Sequence, residues 1–93
     1  MSELITEKTL HLIKCLSFIL NISKKEIIFY EVKDSTDSSN DALRIIIGSF
    51  TIQIPFVDYL SMSEKEFCKI IANHYIEYYV NRFFKLEDIL NGN

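Results

Sequence analysis

The chain has 93 residues, 48% hydrophobic and 25% charged, with a formal net charge of −3. That length makes a single domain, residues 1–93, with one core, and the composition excludes a disordered chain. No apolar run approaches the ~20 residues of a membrane span, and no Lys/Arg cluster offers the phosphate-neutralising surface that nucleic-acid binding requires.

Charge is unevenly placed. Residues 1–33 carry five Lys and four Glu, and residues 42–93 carry five basic and six acidic side chains. Each part is close to neutral, so the net −3 resides in "DSTDSSND", residues 34–41.

In chain order, "SELITEKTLHLIKCLSFILN" has helical spacing. Ile5, Leu12, Ile13, Leu16, Ile19 and Leu20 share an arc opposite Glu3, Glu7, Lys14 and Asn21, with Ser2 as the expected cap. "EIIFYEVK" (26–33) is β-rich. Ile28, Tyr30 and Val32 alternate with Ile27, Phe29, Glu31 and Lys33, and the charged ends of the second set assign it, Phe29 included, to the open face. "ALRIIIG" and "FTIQIPF" give the second and third strands, with Leu43, Ile45, Ile47, Phe50, Ile52, Ile54 and Phe56 inward. Gly48-Ser49 suits a tight hairpin between them, and Pro55 ends the third strand or marks an edge.

Ser63 and Glu66 have capping-box spacing at the start of the last helix, which runs to about Phe84. Residues 85–91 either continue it or form a short third helix, stopped by Asn91-Gly92. The predicted fold is α+β: an α-β-β-β-α order, with a three-stranded antiparallel sheet covered on one face by two helices.

Two surfaces stand out. The first is the loop holding Asp34, Asp37 and Asp41. Its sixth and twelfth positions are Ser39 and Ile45, not the Gly and Glu of an EF-hand, so it reads as a polar hairpin loop able to meet a basic partner. The second is the last helix, where Tyr75, Tyr79, Phe83 and Phe84 widen the apolar arc beyond what covering a sheet needs. Tyr and Phe are interface-enriched residues, so this helix is the expected site of self-association or partner docking.

His11 and His74 lie on separate helices with no third ligand near either in sequence, and His74 is expected to be half-buried in the helix stripe. No phosphate loop, nucleophile elbow or Cys/His pair at catalytic spacing occurs. The expectation is therefore no enzyme activity, no metal and no cofactor. Cys15 and Cys68, with no Cys-x-x-Cys spacing and no secretory leader, read as reduced, buried thiols of a cytoplasmic protein.

The α-β-β-β-α layout resembles that of double-stranded-RNA-binding domains, and "SEKEFCKIIA" is similar to the start of their second helix. The chain departs from that family at the phosphate-gripping basic cluster, where Glu64, Glu66, Phe67 and Ile70 accompany Lys65 and Lys69. A second resemblance is to small phage anti-CRISPR proteins that inhibit Cas9. "YEVKDSTDSSNDALRIII" is similar to their first hairpin in Tyr30, Val32, Lys33, Ser35, Ser39, Asn40, Ile46 and Ile47. This resemblance implies a phage or mobile-element inhibitor that binds a Cas effector through acidic patches mimicking DNA. The chain departs from it in the last helix, which holds only Glu77 and, further on, Glu87 and Asp88. The functional expectation is a small inhibitor that binds another protein, a CRISPR effector in the most concrete form. The alternative is a homo-oligomeric accessory or immunity-type protein without nucleic-acid mimicry.

Overall fold

The computed structural model describes residues 2–92. The elements are β1 (Ser2–Glu3), α1 (Glu7–Leu20), β2 (Ile27–Val32), β3 (Ala42–Ile47), β4 (Phe50–Pro55), α2 (Phe56–Ser61) and α3 (Glu64–Leu90), with single 3-10 turns at Lys24–Glu26 and Ser38–Asn40. The α+β class is as read from the sequence. The sheet, however, has four antiparallel strands in the order β1-β2-β3-β4.

The added strand has a local cause. Ser2 does not cap α1; it pairs with Glu31, Glu3 pairs with Tyr30, and Leu4 N–H donates to Phe29 O at 2.8 Å. Thr6 is the cap instead. Its Oγ1 accepts from Thr9 N–H, and its own N–H donates to Thr9 Oγ1 at 2.8 Å. Thr9 is fully buried and also donates to Leu4 O, tying the helix start to the edge strand.

Register overturns the expected facing of β2. Phe29 pairs with Ile45 and Ile45 with Ile52, so Phe29 belongs to the inner face and is 1% exposed. Ile28, Tyr30 and Val32 take the outer face beside Ile46, Arg44 and Ala42. The alternation along β2 was legible, but its sign was not. Glu31 and Lys33 sit at the end of the inner row, where they reach water and pair with each other at 3.4 Å. On the outer face Arg44 donates to Gln53 Oε1 across β3 and β4.

The Gly48-Ser49 hairpin forms as expected, with Gly48 at φ +61 in the first loop position. Pro55 is the last residue of β4, an edge strand. A short helix does exist, but it lies between β4 and α3 as α2. Residues 85–90 continue α3. Asn91 and Gly92, the latter at φ +75, stop it.

All three helices pack on the inner face. Leu12, Leu16, Phe67 and Ile71 meet Ile27, Phe29, Leu43, Ile45 and Ile47 in one core. Phe67 sits between Phe29 and Tyr59, with ring centroids 5.8 and 5.6 Å away. Lys8 stands 4.2 Å over the Tyr59 ring and donates to Tyr59 O, joining α1 to α2. Ile5, Ile19 and His74, all assigned to apolar stripes from sequence, are exposed, and of the two thiols expected to be buried Cys68 is and Cys15, on the outer side of α1, is only half-buried. Among the described residues no helix is long and apolar enough to cross a membrane.

Candidate protein-binding surface

α1 and α3 run side by side in the same direction. His11 stands by Glu64, and Ile19 shares a groove with Ala72. α1 ends at Leu20, opposite the first third of α3, and α3 has 27 residues, ~40 Å of helix.

The sheet supports α3 a little further. Tyr75 and Tyr78 set their rings on Phe50 at 5.6 Å, and Tyr79 stacks on both tyrosines. Their hydroxyls converge on the hairpin: Tyr78 donates to Ser49 O, and Tyr79 lies 3.3 Å from Ser49 Oγ. Arg82 Nη1 donates to Ser49 Oγ at 2.9 Å. The Ser49 hydrogen bond, with the Arg82 charge behind it, lowers the Tyr78 hydroxyl pKa, whereas burial raises that of Tyr75.

Beyond Arg82 the helix stands clear of the rest of the fold. Every residue from Val80 to Leu90 is exposed. The radius of gyration is 15.1 Å, against about 12 Å for a compact chain of this length, and the longest dimension is 47 Å.

The free end is not a polar extension. Phe83 is 60% and Leu90 77% exposed, with Val80, Phe84, Leu86 and Ile89 around them. Together these six side chains expose on the order of 700 Å², more than the largest patch of most monomers. The cause is visible in the spacing. Ile76, Tyr79, Phe83, Leu86 and Leu90 follow intervals of 3, 4, 3 and 4, the seam of a helix packed along its length on another helix. This seam runs beside the stripe that covers the core, Phe67, Ile71, Tyr75 and Tyr78, and its first member, Ile76, is already 54% exposed.

Comparison with family models, characterised proteins and solved structures found no match.

The predicted aromatic set is therefore split. Tyr75 and Tyr79 belong mainly to the fold, while Phe83 and Phe84 are on the free surface, their rings in edge contact at 5.4 Å. Ile76, Val80, Leu86, Ile89 and Leu90 are exposed on the same helix and lie outside the aromatic set chosen from the sequence. An interval count would have found most of them, because the seam is stricter than the aromatic content that drew attention.

The acidic loop connects β2 and β3 as expected, and its aspartates organise it. Asp34 Oδ1 accepts from Thr36 N–H, Thr36 Oγ1 and Asp37 N–H. Asp37 Oδ1 accepts from Ser39 N–H and Oγ, and Asp41 Oδ1 accepts from Asp34 N–H at 2.9 Å. Hydrogen bonds from Thr36 lower the Asp34 pKa, and those from Ser39 lower that of Asp37. The loop is a pre-shaped acidic prong, remote in sequence and fold from the end of α3.

Proposed function

We propose that this chain acts by binding protein, and that its first partner is a second copy of itself, joined through the free end of α3. The apolar seam carried past Arg82 supports this reading. In an isologous pair each overhang would cover the other. The area each would contribute, on the order of 700 Å², is close to the ~800 Å² per partner of a standard interface. Sedimentation equilibrium tests it: a concentration-dependent dimer is expected, and a strict monomer at ~100 µM, where even weak interfaces associate, would refute it.

A second reading is favoured by the acidic prong. It makes the protein an inhibitor that presents this loop to the basic groove of another protein, a CRISPR effector being the concrete case. Hydrogen bonds within the loop already hold one oxygen of each aspartate, which lowers the cost of contact. Individual exposed ion pairs contribute only ~0–1 kcal/mol, so apolar anchors must supply most of the affinity. The triple variant D34N/D37N/D41N keeps an Oδ1 acceptor at each position while removing all three charges. Loss of salt-sensitive binding to an effector, with the fold intact, is the expected result; unchanged binding would remove the loop's role.

A further inference from the structure

His11 and Cys15 lie one turn apart on α1, and Glu64 opens α3 beside them. His11 Nδ1 is 2.5 Å from Glu64 Oε2, and Cys15 Sγ is 3.8 Å from His11 Nε2. One donor atom from each residue lies within 4.8 Å of the other two. We propose that His11, Cys15 and Glu64 form a binding site for a thiophilic divalent ion, with zinc as the metal that fits.

The donor set selects the metal class. A thiolate with an imidazole and a carboxylate suits zinc and its spectroscopic substitute cobalt(II), whereas calcium and magnesium take oxygen donors. Metal–donor lengths of ~2.0–2.3 Å at tetrahedral angles put donor atoms roughly 3.3–3.8 Å apart. The 3.8 Å from Cys15 Sγ to His11 Nε2 meets that range; Glu64 bonds the other ring nitrogen, Nδ1, so its carboxylate must swing to the Nε2 side, which its 47% exposure and the 54% exposure of His11 allow.

Cys68, one turn after Glu64, is buried behind the site. On the outer side a groove of about 530 Å³, lined by Cys15, Ile19, Glu64, Lys65, Lys69 and Ala72, opens to solvent, and the exposed Lys65 and Lys69 ammonium groups must turn outward for a cation to enter. Binding would release the Cys15 Sγ proton to solvent, because the metal takes the thiolate. The ion would then clamp α1 to α3 at the same end where Lys8 joins α1 to α2.

The test is titration of the reduced full chain with cobalt(II), then zinc in competition. A thiolate-to-cobalt charge-transfer band, tetrahedral d–d bands, and a rise in Tm with added zinc are expected. Cys15→Ser should abolish the charge-transfer band, and His11→Gln and Glu64→Gln should each weaken binding at least about tenfold, as losses around metal sites do. His74→Gln, on the exposed face of α3, should change nothing. Circular dichroism shows whether each variant is folded, and Glu64→Gln replaces Cys15→Ser as the deciding variant should the latter fail to fold. No charge-transfer band in the wild type, or wild-type affinity in either deciding variant, would overturn the site.

Discussion

Replacing Phe83 with alanine separates self-association from folding. The side chain is 60% exposed and its one ring contact is with Phe84, its neighbour in sequence. A phenylalanine buries 150–250 Å² when fully covered, so about 120 Å² of this ring awaits a partner. At ~25 cal/mol/Å² that is about 3 kcal/mol, of which an alanine methyl retains a part, leaving ~2 kcal/mol. An isologous contact contains the residue twice. The dimer should therefore lose ~4 kcal/mol, about a thousandfold in Kd. Sedimentation equilibrium over a wide concentration range measures the shift directly. Wild-type Tm should rise with protein concentration, as linkage requires, and the variant's should not. Because Phe83 is mostly exposed and its ring contact is with its sequence neighbour Phe84, variant and wild type should have nearly the same Tm at high dilution. An unchanged Kd, or a dilute Tm several degrees lower in the variant, would refute the assignment of this face to a second copy.

The acidic loop should respond to pH in a defined direction. Asp34 and Asp37 have folded-state pKa values below the ordinary 3.8, because of hydrogen bonds from Thr36 and Ser39 respectively. Above 3.8 their contribution to loop order is complete. It is lost as pH falls below 3.8 through the folded values, where the unfolded state binds more protons. NMR titration of the Thr36 and Ser39 amides should give midpoints below 3.8, and midpoints at or above it would contradict the turn geometry. At the β1–α1 junction, Thr9→Val should cost ~1–3 kcal/mol in chemical denaturation. It removes the buried hydroxyl that donates to Leu4 O and leaves Thr6 N–H without its acceptor. A loss below ~0.5 kcal/mol, the ordinary surface range, would mean that the β1–α1 junction is held by something else.

The amino-acid sequence by itself determined the fold class, three of the four strands, the hairpin at Gly48 and the stop at Asn91-Gly92. These follow from side-chain alternation, helical spacing and residues suited to positive φ, all local in sequence. It also located the acidic loop, because three aspartates within eight positions need no tertiary information to be seen.

Other features required distant partners. The sign of β2 was set by pairing of Phe29 with Ile45, and a six-residue alternation is equally satisfied by either face. β1 exists only because Glu31 and Tyr30 offer a free edge to a two-residue segment that would not form a strand alone. His11 gained Glu64 from 53 positions away through the parallel packing of α1 on α3, a proximity that spacing within one helix cannot reveal. The exposure of the α3 seam was likewise a tertiary decision. Its apolar intervals were present in the sequence, but they imply burial wherever a partner layer exists. Only the lengths of α1 and the sheet determined that the layer ends near Arg82 and leaves Phe83 to Leu90 uncovered.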